Sequence, residues 1–161
     1  MAPPFRIGTG YDIHRFAAGR ALILGGVNIP HHQGLDGHSD ADSLTHAIAD
    51  ALLGAAGLPD IGHYFPPGDP AFKDINSQII LKRVVQELDN AGYGIGNIDA
   101  TVIAEAPRIG PYIPSMKKAL GATLQIAPEA IGIKATTNEK LGDIGRGQGI
   151  AAIAVCLLLS K

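Results

Sequence analysis

The stretch "HSDADSLTHAIADALLGAAG", residues 38–57, decides the fold. Leu44, Ala47, Ile48, Ala51, Leu52 and Ala55 follow i, i+3, i+4, i+7, i+8, i+11 spacing, the signature of a helix with one apolar stripe. Ser39 with Asp42 three residues on resembles a capping box. Asp40 and Asp42 suit the positive end of the helix dipole, and Gly57 can close the far end. At about 100° per residue, Asp42, His46 and Asp50 fall on the side away from the stripe. His46 therefore does not look into this helix's own core.

Outward from that helix, "FRIGTGYDIHRF" reads as a first strand and "ALILGGVNIP" as two short strands joined through Gly25-Gly26, a hairpin signal. On the carboxyl side, "PDIGHYFPPGDPAF" reads as a loop, since Pro66, Pro67, Gly68 and Pro70 prevent regular structure; loops this long in a small domain are often functional. A second helix is expected from Ser77 as cap to Gly92 as stop, with Ile80, Val84 and Leu88 along one stripe. "IGNIDATVIAEA" is a β-branched strand, "SMKKALGATL" a short helix, "IGIKATT" a further strand, and the apolar "IAAIAVCLLL" after a glycine-rich turn a buried closing strand. Strands alternating with helices predict an α/β (α+β) fold: one domain over residues 1–161, a mixed β-sheet with helices packed on one face.

The composition fits. Hydrophobic residues make up 46% and charged residues 17% of 161, with a net charge of -2, a globular profile. Lys and Arg are scattered among the acidic residues, which argues against a nucleic-acid partner. No apolar run approaches the roughly 18 residues needed to span a bilayer, and "MAPPFRIG" has no signal-peptide core, so no membrane association and a cytoplasmic location are expected. Cys156 reads as a buried core thiol.

In a strand, residues i and i+2 share a face, so Asp12 and His14 of "GYDIHRF" stand side by side. With His46 from the helix they make an oxygen and two-nitrogen set of the kind that holds catalytic zinc with a fourth position open. The spacing alone leaves a second reading, a polar sheet edge beside a solvated helix face. His31 and His32 are adjacent and diverge, His63 has no partner at ligand spacing, and His38 precedes the helix start, where exposed backbone N–H groups can hold an anion. Thr136, Thr137 and Glu139 in "KATTNEKLG" offer two hydroxyls and a carboxylate able to hold a hard cation. P-loop, dinucleotide, zincin and hydrolase templates are absent.

Taken together, "GYDIHRF", "LDGHSDADSLTHAIADALLGAAGLPDIGHYFP", "GNIDATVIAEAPRIGPYIPSM" and "IKATTNEKLGDIGRGQGIA" resemble the 2-C-methyl-D-erythritol 2,4-cyclodiphosphate synthase family, in order and spacing from about Arg6 to the carboxyl terminus. The resemblance implies a homotrimer with active sites between subunits, zinc on Asp12, His14 and His46, and a second divalent cation, Mg2+ or Mn2+, on Glu139. It implies conversion of 4-diphosphocytidyl-2-C-methyl-D-erythritol 2-phosphate to the cyclic diphosphate and CMP, a step of non-mevalonate isoprenoid synthesis. His38 and Thr137 match positions that stabilise the transition state, and Ser39 would assist on phosphate. Asp60, Ile61, Gly62, Phe65, Pro66, Pro67, Gly68 and Asp69 would line the erythritol pocket. Ala104, Glu105, Ala106, Pro107, Arg108, Ile109 and Gly110, with Ala135, Thr136, Thr137 and Asn138, would hold the cytidine and its phosphates, and Arg146 would lie near the three-fold axis. Two positions depart from the family pattern: Asp143 replaces an aromatic residue of an axial apolar cavity, and Asn138 replaces a threonine. The chain is too short for the fused cytidylyltransferase domain of bifunctional relatives. Two other readings use the same residues, a zinc-dependent phosphoester hydrolase and an isoprenoid-diphosphate-binding trimer.

Overall fold

A computed structural model describes residues 4–161; Met1 to Pro3, the start of "MAPPFRIG", lie outside the described residues. The first strand, β1 (Phe5–Ala17), alternates between two environments: Gly8 and Gly10 are buried, while Ile7, Tyr11 and Ile13 on the opposite face are exposed. The closing strand β7 (Gly149–Ser160) pairs antiparallel with β1, Asp12 opposite Ala152, and on its other side with β5 (Tyr93–Ile103). β6 (Ile131–Thr136) adds parallel to β5, and the two-residue β4 (Gly34–Leu35) adds to the far edge, giving the order β4-β1-β7-β5-β6. The sheet is mixed, as expected, with β5 and β6 its parallel pair. The hairpin β2 (Leu22–Leu24) and β3 (Val27–Ile29) turns through Gly25 and Gly26 at φ 56° and 75°, values that glycine adopts without a Cβ clash.

One face of this sheet carries the helices. α1 (Ser43–Ala56) lies against β1 and β7, its expected stripe wholly buried. The approach is unusually close: a Cβ on Gly10 would sit 2.0 Å from the Ala47 carbonyl oxygen, and one on Gly8 2.0 Å from that of Ala51. α3 (Ser77–Asn90) covers α1 from outside, burying Ile80, Val84 and Leu88, and α4 (Ile113–Leu124) packs against α3 and β6. Because α1 is sandwiched, its second side is not solvated. Asp42 is fully buried and His46 is 6% exposed.

Three local expectations need correction. The cap of α1 is Asp42, not Ser39, since Ala41 at φ 57° breaks helical continuation before it. The Asp42 carboxylate accepts from Thr45 N, Thr45 Oγ1, Gly25 N and Gly26 N at 2.7–2.9 Å, so four bonds offset its burial and tie the hairpin to the helix start. The cap of α3 is Asn76, with Ser77 its first residue. The loop after α1 contains a one-turn helix α2 (Ile61–Tyr64) and a 3-10 turn at Pro70–Phe72, capped by Asp60 and Asp69. A final one-turn helix, α5 (Gly142–Gly145), precedes β7. Cys156 is buried as expected, and burial pushes its thiol up to about 11 despite a hydrogen bond with the Gly8 backbone.

Candidate metal centre and its pocket

Asp12 and His14 project from the helix-bearing face of β1, and the Gly10 contact brings α1 low enough for His46 to reach them. Asp12 Oδ2 lies 2.9 Å from His14 Nε2 and 3.0 Å from His46 Nδ1, and one ligand atom from each residue falls within 4.8 Å of the others. Among the described residues this is the one such group of three. The imidazole rings meet edge to face at 5.5 Å. Each ring has its remote nitrogen engaged: His14 Nδ1 donates to the Asp36 carbonyl at 2.7 Å, and His46 Nε2 lies 2.8 Å from Ser77 Oγ and 3.3 Å from Ser39 Oγ. The carbonyl only accepts, so neutral His14 carries its proton on Nδ1 and turns the Nε2 lone pair inward.

Those residues fit a metal ion. His14 Nε2 is buried without a well-directed hydrogen bond although it is near Asp12, and the donor set has the nitrogen and oxygen types that zinc takes. Burial pushes the Asp12 carboxyl up, but hydrogen bonds and charge from His14 and His46 outweigh it and hold it well below the ordinary carboxylate range. Burial lowers His14, and Asp12 more than reverses that, leaving it above its usual value. Asp12 thus stays ionised, with its charge turned toward the inner nitrogens of both imidazoles.

The triad opens into a pocket of about 240 Å³. His38, Ser39, Ile61, Gly62, Phe65 and Pro67 of the expected substrate group line it. Phe72, Ile75 and Ile80 also line it; in the sequence Ile80 was legible only as a core residue of its helix. His38 is steered by the Asp69 carbonyl, 2.8 Å from its Nε2. Asp50, whose carboxyl burial pushes up, accepts from Ile61 N at 2.9 Å and fastens α2 at the pocket's edge. Asp60 serves as the α2 cap, and Pro66 and Gly68 complete the turn beyond Phe65.

The remaining expected residues form a second group. Ala104, next to Ile103 of β5, donates to the Thr136 carbonyl at 2.9 Å, so residues 104–110 and 135–139 adjoin at one end of the parallel pair. Ala106-Pro107 is a cis peptide. Glu105 accepts from Asn138 N at 3.0 Å and Lys140 N at 3.2 Å, joining the two loops. Thr137 Oγ1 donates to Glu139 Oε1 at 3.3 Å, and Glu139 is exposed. This group shares the sheet end of His14, because β1, β5 and β6 run the same way, yet β7 separates it from the triad and none of it lines the pocket. Arg146 is exposed and paired with Asp143.

The chain belongs to the YgbB family, whose model matches residues 5–159. Curated relatives identify the kind of protein it is similar to: the 2-C-methyl-D-erythritol 2,4-cyclodiphosphate synthase of Moorella thermoacetica is 56% identical over 97% of this chain and 96% of its own. That of Akkermansia muciniphila is 63% identical over 94% and 90%. Among solved structures, the Plasmodium falciparum IspF in complex with CDP is 37% identical, with a TM-score of 0.87 over 100% of this chain and 99% of that one. The bifunctional IspDF of Campylobacter jejuni gives a TM-score of 0.94 at 40% identity, and this chain spans 98% of itself but 42% of that longer protein.

Proposed function

We propose that this chain, as one domain over residues 1–161, converts 4-diphosphocytidyl-2-C-methyl-D-erythritol 2-phosphate to 2-C-methyl-D-erythritol 2,4-cyclodiphosphate and CMP. The observation that carries the reading is the Asp12, His14 and His46 cluster at the mouth of a pocket, at the sheet end that also carries the β5 and β6 loops. A phosphate nucleophile is already ionised, so no strong base is required and catalysis rests on positioning and charge neutralisation. Asp12, His14 and His46 would hold zinc and Glu139 a second divalent cation, and these would supply Lewis-acid charge to the phosphates. His38 and Ser39 donate to phosphate oxygens from the pocket wall, Thr137 does so from the β6 loop, and the 60–69 segment encloses the erythritol. The backbone of residues 104–110 and 135–138 grips the cytidine diphosphate.

The two groups of residues are joined by assembly into a homotrimer, in which the β5 and β6 loops of one subunit close on the metal pocket of the next. One feature supports this. The helix-free face of the sheet leaves Phe5, Ile7, Tyr11, Ile13, Ile153, Val155 and Leu159 at 42–66% exposure, a contiguous apolar surface on β1 and β7. Burying the exposed remainder of such side chains is worth roughly 1 kcal/mol each, enough in sum to offset association costs of several kcal/mol. The cytidine half of the reading is supported separately, by the likeness to a solved structure that is a complex with CDP.

A His46→Ala variant tests the site. Expected is loss of bound zinc and a fall in CMP release by about 100-fold or more, since one of three ligands is gone. Turnover unchanged from wild type would exclude the triad as the reacting centre.

A further inference from the structure

Ser77 and Asp40 take no part in the assignments above, yet they complete a line of hydrogen bonds behind His46. Asp40 Oδ1 accepts from the Ser77 hydroxyl in a very close contact and from Asp42 N at 3.2 Å, while its Oδ2 accepts from Ser77 N at 3.0 Å. Ser77 is completely buried, and its Oγ lies 2.8 Å from His46 Nε2. A carboxylate only accepts, so the single hydroxyl proton of Ser77 is committed to Asp40. The serine oxygen is then left to accept, and its one near partner besides Asp40 is His46 Nε2. That nitrogen must donate. In a neutral imidazole a proton on Nε2 leaves Nδ1 bare, and Nδ1 is the atom 3.0 Å from Asp12 Oδ2 inside the triad.

We propose that Asp40 and Ser77 are positioning residues that fix the tautomer and ring angle of His46 and so set the affinity of the triad for a divalent metal. This rests on the metal reading of the triad. The Asp40 carboxylate polarises the Ser77 hydroxyl and through it the imidazole, which strengthens Nδ1 as a ligand, an effect greater because the serine and histidine are shielded from water. Ser39 Oγ, at 3.3 Å from the same nitrogen, is a weaker second acceptor, since it accepts from Ala41 N and has no carboxylate behind it. The arrangement also links elements: Asp40 precedes α1, Ser77 opens α3, and the bond from Ser77 N to Asp40 holds the two helix starts in register with the ligand between them.

The test uses the full-length protein stripped of metal, with zinc affinity read by competition against a chromophoric chelator and ligand geometry by the visible spectrum of the cobalt(II) form. Four chains are compared: wild type, Ser77→Ala, Asp40→Asn and the double variant. Ser77→Ala is expected to weaken zinc by about 10- to 100-fold and to alter the cobalt bands. Asp40→Asn should act in the same direction. The double variant should bind zinc more tightly than the product of the two single losses, because the part of the Asp40 effect that runs through that hydroxyl is already gone in Ser77→Ala. Zinc affinity of Ser77→Ala within twofold of wild type, or losses in the two single variants that simply multiply in the double, would overturn the relay. A wild-type chain that takes up no zinc or cobalt overturns the metal reading itself, and the relay with it.

Discussion

Asp12 stands between two imidazoles, and that position makes the metal-free protein sensitive to pH in a definite sense. Its carboxyl is held below the ordinary 3.8, so its contribution is present above that value and lost as pH falls toward the depressed one. His14 is raised above 6.5, so its contribution is complete below 6.5 and lost as pH rises through the raised value. The two overlap between about 3.8 and 6.5. In chelator-treated protein the difference in melting temperature between wild type and Asp12→Asn should be widest in that window and shrink on both sides; a difference independent of pH would contradict the pairing. At this scale the triad was legible from sequence as a candidate, since a strand's i, i+2 alternation and a helix's 3.6 period put Asp12, His14 and His46 on usable faces, but it was the family resemblance that favoured a metal site over a polar sheet edge. Ser77 and Asp40 were legible only as cap and dipole residues, because a hydrogen bond between positions 37 apart has no local pattern.

At the scale of elements, the site depends on how low α1 sits on β1. The helix and its stripe were readable from periodicity alone, as were the closing strand and the Gly25-Gly26 hairpin. The depth of the packing was not, since glycines in a strand signal close approach without saying to what. Gly10→Ala should cost about 1–3 kcal/mol in urea denaturation, through forced separation of α1 from β1, and should lower zinc affinity by lifting His46 from Asp12. Gly54→Ala, on the same helix, meets only Thr9 O at 4.0 Å and should instead gain about 0.5–1 kcal/mol from helix propensity. Equal losses at the two positions would mean the close contact at Gly10 is not what sets the geometry. The start of α1 shows the opposite limit. Ser39 fits a capping-box pattern, but the left-handed backbone at Ala41 moves the cap to Asp42, and nothing in an alanine announces that conformation.

At the scale of the whole molecule, the sheet carries a polar and a nonpolar problem at once. Its free face is apolar along β1 and β7 but polar on β5, at Asn97 and Asp99, while the triad pocket and the loops after β5 and β6 are separated within one chain by β7. A shared site at a subunit boundary answers both. Mixed assemblies check it: inactive His46→Ala chains combined with inactive Glu139→Ala chains, dissociated and reassembled in equal amounts, should recover about a quarter of wild-type turnover. In the proposed assembly each intact site draws its two halves from different chains. No recovery in verified mixed trimers would mean that each chain works alone.

In the proposed reaction the phosphate of the substrate, and not water, is the nucleophile. Phosphorus NMR of the metal-loaded protein with 4-diphosphocytidyl-2-C-methyl-D-erythritol 2-phosphate tests it in a single spectrum. Two coupled resonances of a cyclic diphosphate should grow in step with CMP. Linear phosphate products appearing with CMP and no cyclic species would contradict that reaction, and would mark the triad as the centre of a hydrolase.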